Sequence, residues 1–309
     1  MSRYKFNEIK IKNKLYYFKI CNGMPELPEV ETTTQGLRKT IVGLVIKDTW
    51  TDLATKDKRQ REAVANPKYF AVFKKEILNK KVLSVERRAK NILINISGGN
   101  TILVHMKMTG HLMYGDYKKD PINRFIHFTI SFNNGEKLYF SDARKFGKIT
   151  FLDTQTAHDT KHLNNIGPEP LDKKFDLKNF IQRLNRCKSK KIKTALMDQS
   201  VIAGIGNIYS DEILWRAGVN PERKVSEIKE KESKLIFKAI KETLKKGIDF
   251  GGDSMSDYRN IHGLPGKFQL HHEAYRRTGE KCRKLHCKGI IKRKIINGRS
   301  AHFCSVHQR

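Results

Sequence analysis

The sequence predicts an α+β multidomain chain: an N-terminal antiparallel β-sandwich with flanking helices, then a helical domain, then a Cys/His β-hairpin. Three observations predict it. Short β-branched runs fill residues 80–153, helical spacing takes over after the break Gly167-Pro168-Glu169-Pro170, and Cys282, Cys287 and Cys304 crowd the C-terminus. A length of 309 residues leaves room for two domains.

Residues 1–23 hold six Lys/Arg and one Glu with no helical or strand period, and read as a basic extension. A new start follows at Met24-Pro25-Glu26-Leu27-Pro28-Glu29. Behind it Val30, Thr33, Thr34, Leu37 and Ile41 recur at helical spacing between Pro28 and Gly43. Val82–Val85, Asn91–Ile96 and Thr101–Met106 read as strands, the last two joined by Gly98-Gly99-Asn100. Phe125–Phe132 and Lys137–Phe140 form a hairpin around Asn133-Asn134-Gly135. These place a sandwich or barrel over 24–156, with the helix packed on it and a linker at 157–176. Asp176 caps a helix whose Leu177, Phe180, Ile181 and Leu184 share one face. Further helices run from Asn207 to Ala217, stopped by Gly218, and from after Ser226 to Gly247. The helical domain spans 177–270 and includes a glycine-rich loop at 251–266; the Cys/His segment occupies 271–309.

Charge narrows the partner. Lys plus Arg number 62 against 32 Asp plus Glu, a net +30. A surplus of this size points to a polyanion, and nucleic acid is the commonest. No run of 18 apolar residues and no long basic amphipathic helix supports a membrane. The N-terminus lacks a signal peptide, since Leu15-Tyr16-Tyr17-Phe18 is broken at once by Lys19, so a cytoplasmic, nucleoid-associated location is expected. Five cysteines, three of them beside histidines, suggest a reducing compartment and a metal site rather than disulfides. Cys282-x4-Cys287 and Cys304-x2-His307, joined by a hairpin turning at Asn297-Gly298, supply two ligand pairs for one tetrahedral structural Zn2+. His286 competes as a ligand.

Met24-Pro25-Glu26-Leu27-Pro28-Glu29-Val30-Glu31 resembles the start of the formamidopyrimidine-DNA glycosylases. Four further stretches continue the resemblance in order: Ser84–Lys90, His105–Gly110, Ser141–Gly147 and Gly204–Tyr209. The resemblance covers nearly the whole chain from residue 24. It implies a bifunctional glycosylase and lyase with a helix–two-turn–helix domain and a zinc finger. Its partner would be duplex DNA containing oxidised purines, bound by a monomer. The zinc pattern departs from the family's four cysteines with two residues inside each pair: the first gap here is four, and His307 takes the last place.

The resemblance also assigns roles, and chemistry supports them. An amine that attacks a sugar's anomeric carbon leaves an imine, and a secondary amine such as proline's leaves an iminium that needs no further proton to act as an electron sink. Pro25 is the implied nucleophile and Glu26 the general acid/base. Pro25 and Pro28 by themselves also suit a plain helix start. Lys90, after Arg87 and Arg88, is implied near the damaged nucleotide, and Arg299 on its phosphate. Met108, Arg144 and Phe146 match residues that fill the hole left by an extruded base. Asn207 and the glycines before it suit close approach to phosphate, Glu212 matches a residue near the bound base, and the 251–266 loop resembles the segment that closes over it.

Two alternatives stay open. One is an endonuclease VIII-like enzyme for oxidised pyrimidines, although that branch begins Pro-Glu-Gly-Pro and lacks the Met, Arg and Phe set. The other is a catalytically inactive damaged-DNA-binding protein, because residue 24 acylates the nitrogen of Pro25. Translation from Met24 followed by methionine removal, or cleavage of the extension, restores the amine.

Overall fold

The computed structural model describes residues 7–11, 14–18, 24–55, 60–117, 121–255 and 258–309. Within the extension, β1 (Asn7–Ile11) and β2 (Lys14–Phe18) pair as an antiparallel ribbon. The sequence reading found no element there, because five residues per strand are too few for a period to stand out in so basic a stretch.

Helix α1 (Leu27–Thr40) carries Pro28 inside its first turn, where a missing N–H removes no hydrogen bond. Strand β3 (Ile46–Thr51) and helix α2 (Pro67–Ile77) follow, the latter capped by Asn66, whose Oδ1 accepts from the Lys68 amide at 3.0 Å. Then come β4 (Val82–Arg88), β5 (Asn91–Ile96), β6 (Asn100–His105), β7 (Gly110–Gly115), β8 (Ile126–Phe132), β9 (Lys137–Asp142) and β10 (Lys148–Asp153). They form two four-stranded antiparallel sheets in the orders β10-β6-β5-β4 and β3-β8-β9-β7. Ile92, Ile94 and Val104 of one sheet meet Phe128, Ile130 and Phe140 of the other in a sandwich core, joined by Val30 and Leu37 of α1. Leu27, one turn earlier, lies instead in the core of the helical domain. One helix therefore belongs to both hydrophobic clusters, and its first residues sit at the seam.

The helical domain holds α3 (Leu177–Leu184), α4 (Ile192–Met197), α5 (Asn207–Ala217) and α6 (Glu230–Asp249). Asp176 caps α3 by accepting from the Asn179 amide at 2.8 Å, and Gly218 ends α5 at φ 74°. The expected end of the long helix at Gly247 is corrected: α6 runs through it to Asp249. A Cβ at residue 247 would fall 2.6 Å from Tyr209 Oη and 2.9 Å from Pro28 Cγ, so this glycine is there for close packing rather than to stop the helix.

The 251–266 loop is not an idle linker. Tyr258 and Ile261 are buried, Ile261 within the sandwich core, and the Tyr114 amide donates to the Ile261 carbonyl at 2.8 Å. Residues 256–257 of that loop lie outside the described residues. Finally, β11 (Ile291–Ile296) and β12 (Arg299–Cys304) pair across Asn297-Gly298. Among the described residues no helix is long and apolar enough to cross a membrane.

Candidate active site and metal centre

Glu26 precedes α1 and is 2% exposed. Its carboxylate accepts from the amides of Gly206 (2.6 Å) and Ile208 (2.8 Å), the open N–H groups at the start of α5. The Gly206 amide, which the sequence suggests for phosphate, is thus taken by Glu26. A Cβ on Gly206 would lie 2.6 Å from Glu26 Oε1 and 2.8 Å from Lys90 Nζ, so only glycine lets the two side chains meet there. Burial pushes the Glu26 carboxyl above its ordinary range, against the pull of Lys90 and the amides. Behind it, Glu29 Oε2 accepts from the Glu26 amide at 2.8 Å, while Oε1 accepts from Tyr209 Oη (2.8 Å) and the Asp253 amide (2.6 Å). Burial and the neighbouring Asp253 and Glu26 raise Glu29 to about 8.

Lys90 reaches this point because the turn before β5 is tied down. Arg87 pairs with Glu31 (2.7 Å) and Glu169 (2.6 Å), and Arg88 with Glu169 (3.0 Å), whose Oε1 also accepts from the Ala89 amide. Arg87 and Arg88 are thus held by carboxylates, and Ala89 at φ 53° turns the chain so that Lys90 reaches the cleft. Burial pushes the Lys90 ammonium down, opposed by Glu26 and Glu29. His105, held near 3 by burial and the cations around it, is a neutral imidazole; its Nδ1 accepts from the Lys107 amide at 3.0 Å.

Glu26, Lys90, His105, Met108, Asn207 and Arg299 line one cavity of about 530 Å³ between the sandwich and the helical domain. Pro25 is buried between Met24 and Glu26, both of which line it. Met108, Arg144 and Phe146 come together beside the cleft. Arg144 Nη1 is 3.2 Å from Met108 Sδ, and its guanidinium lies 4.8 Å over the Phe146 ring, which is 49% exposed. Asp142 is the hub of both turns: it binds Thr109 Oγ1 and accepts from the Gly147 amide at 2.6 Å.

Glu212 is placed differently from the sequence expectation. It is buried, and its carboxylate accepts from the amides of Glu273, Ala274 and Tyr275 at 2.8, 2.9 and 2.8 Å, fastening α5 to the segment before the hairpin.

Cys282, Cys287, Cys304 and His307 converge with their ligand atoms within 4.8 Å of one another, an arrangement able to hold a metal ion. Cys287 and Cys304 Sγ are 3.6 Å apart; tetrahedral ligation with bonds of about 2.3 Å places sulfurs roughly 3.8 Å apart. His307 Nε2 faces the Trp215 carbonyl at 3.0 Å, which leaves Nδ1, 3.3 Å from Cys282 Sγ, for the ion. His286 is not in the group.

Residues 24–149 match the family model of the formamidopyrimidine-DNA glycosylase N-terminal domain, and 166–259 that of its H2TH domain. The formamidopyrimidine-DNA glycosylase of Herpetosiphon aurantiacus is 39% identical over 286 residues, covering 92% of this chain and 100% of that one. The chain belongs to the formamidopyrimidine-DNA glycosylase family. Another formamidopyrimidine-DNA glycosylase, from Pelotomaculum thermopropionicum, is 36% identical over 93% of this chain and 99% of its own. The solved complex of Lactococcus lactis Fpg with DNA containing an abasic site superposes with a TM-score of 0.81 at 33% identity, over 92% of this chain and 99% of that one. The family match starts at Met24, so the ribbon of β1 and β2 lies outside it. Sequence reasoning missed Glu29, Asp142 and Glu169 as the groups that hold this glycosylase cleft in shape. The signal was faint, because the partners that give them this role lie far off in the chain: Tyr209 and Asp253 for Glu29, Thr109 for Asp142, Arg87 and Arg88 for Glu169.

Proposed function

We propose that the protein is a base-excision repair glycosylase and lyase for oxidised purines, 8-oxoguanine and formamidopyrimidines, in duplex DNA. The observation that carries this is convergence: Glu26, Lys90 and Arg299 line one cavity, with Pro25 buried between two of its lining residues, beside the Met108–Arg144–Phe146 cluster. The freed Pro25 nitrogen attacks the anomeric carbon, and Glu26 protonates the sugar ring oxygen as the base departs. The resulting iminium draws electrons while β- and δ-elimination release both flanking phosphates, leaving a one-nucleotide gap. Lys90 and Arg299 hold phosphate, and Met108, Arg144 and Phe146 occupy the space of the extruded nucleotide. Activity on paired duplexes tests this reading: cleavage at 8-oxoguanine is expected and thymine glycol should be a poor substrate. The reverse preference would mean an endonuclease VIII-like enzyme. Binding without cleavage by protein that begins at Pro25 would mean a damage-binding protein.

Arg144 reads the orphaned cytosine in this account. Wild-type protein is expected to cut 8-oxoguanine faster opposite cytosine than opposite adenine, and Arg144→Ala to shrink that ratio while retaining most of the salt-sensitive non-specific binding. An unchanged ratio removes the role.

The four C-terminal ligands fit zinc, whose part is to hold the hairpin that bears Arg299. Elemental analysis should find about one zinc per chain, lost in Cys304→Ala. Full metal retention in that variant would mean a different ligand set.

A further inference from the structure

Away from the Cys/His cluster, the hairpin is fastened to the helical domain by a second, buried group. Asp211 on α5, 1% exposed, accepts from Lys193 Nζ of α4 at 2.6 Å through Oδ1. Its Oδ2 accepts from the His302 amide at 2.8 Å and lies 2.9 Å from His302 Nδ1. Lys193 also donates to Ser210 Oγ at 3.0 Å and to the Asn207 carbonyl at 3.3 Å. His302 packs edge-on against Tyr275, ring centroids 5.0 Å apart. Two lighter contacts run alongside, Asn207 Nδ2 to Ser300 Oγ (3.2 Å) and Asn297 Nδ2 to Thr194 Oγ1 (3.1 Å).

Burying a lysine, an aspartate and a histidine together strips water from each, and apolar residues of like volume would fill the space at least as well. What the polar set supplies is direction: each bond is satisfied in one register only. Strand alternation puts Ser300 and His302 on the face of β12 that meets α5, and Arg299 on the other. The first turn of α5, held by Lys193, is the same turn whose amides seat Glu26. A single carboxylate thus connects the seat of Glu26 to the strand that carries Arg299.

We propose that Asp211 and His302 are positioning residues, a metal-independent joint that fixes Arg299 relative to Glu26 across the cleft. The proposal rests on the reading above in that it takes Arg299 as a phosphate grip.

The test is a double-mutant cycle in protein that begins at Pro25, using His302→Phe, Arg299→Ala and their combination. Single-turnover cleavage of an 8-oxoguanine duplex, affinity for a duplex containing a stable tetrahydrofuran abasic analogue, zinc content and thermal midpoint are all measured. His302→Phe keeps the aromatic volume, and is expected to lose about tenfold in cleavage rate and in affinity with zinc content unchanged; in the Arg299→Ala background it should lose almost nothing more. His302→Asn, whose Nδ2 can take the place of the imidazole Nδ1, should stay near wild type. Equal losses in both Arg299 backgrounds, or no loss in His302→Phe, overturn the joint. If His302→Phe loses zinc or fails to fold, the cycle is repeated with Asp211→Asn, and additive losses there overturn it equally. Failure of the parent protein to cut 8-oxoguanine DNA counts against the proposed function only, since the coupling is still read in affinity for the abasic analogue.

Discussion

Protein whose chain starts at Pro25 is expected to be trapped covalently on 8-oxoguanine DNA by borohydride, while the 309-residue chain gives no adduct. The difference is one bond. With Met24 attached, the Pro25 nitrogen is a tertiary amide whose lone pair is delocalised into the carbonyl, and it cannot add to a sugar carbon. Freed, it is a secondary α-amine; model α-amines titrate at about 7.7–8.0, so a substantial neutral fraction exists at physiological pH. The structure adds a steric reason, because Met24 itself lines the cavity in which the sugar would sit. Equal trapping of both forms, with the extension shown intact by mass, would point to another amine. Lys90 is the first to test, since burial already moves its ammonium toward the neutral form.

The second large effect is Glu26→Gln. Removing a positioned proton donor should slow base excision by about 10²- to 10⁴-fold. Glu26 Oε1 accepts from Ile208 and Oε2 from Gly206, so glutamine keeps one of these bonds and sets its NH2 against the other α5 amide; the thermal midpoint should fall by about the cost of one unsatisfied buried donor. The pH profile separates loss of chemistry from loss of fold. A raised pKa keeps part of Glu26 protonated above the usual carboxylate range, and that part declines as pH rises through the raised value. Excision by wild type should therefore fall on the alkaline side, and Glu26→Gln should lack that limb. Glu29 sets a parallel trend in stability. With its folded value raised from 4.5 to about 8, its contribution is fully present below 4.5 and is lost as pH rises toward about 8. A Glu29→Gln variant should show a flatter dependence of thermal midpoint on pH over that window.

The sequence was most legible where local chemistry decides the outcome. Asp176 capping α3, Gly218 closing α5, the β5–β6 hairpin and the Cys/His pairs all stand where their residue types require. It was least legible where a residue answers to a distant partner. Nothing beside Arg87 and Arg88 in the sequence shows that both pair with Glu169, 82 and 81 residues further on. Gly247 reads as a helix stop until Tyr209 and Pro28 press against it. Strands β3, β7 and β10 and helix α2 carried too few periodic positions to stand out, and tertiary packing supplied them. At the site, five motifs in order single out Pro25, Glu26, Lys90 and the Met108–Arg144–Phe146 set as candidates. That the α5 amides receive Glu26, and that Glu212 is tied to residues 273–275, needed coordinates.

In the proposed mechanism the Pro25 nitrogen forms the covalent link to the sugar, and peptide mapping of the borohydride-reduced adduct locates that bond. Digestion and mass spectrometry of trapped protein should place the reduced sugar on the peptide that begins at Pro25, with every lysine peptide unmodified. A sugar found on Lys90 or any other lysine, or cleavage without a trappable adduct, would contradict it.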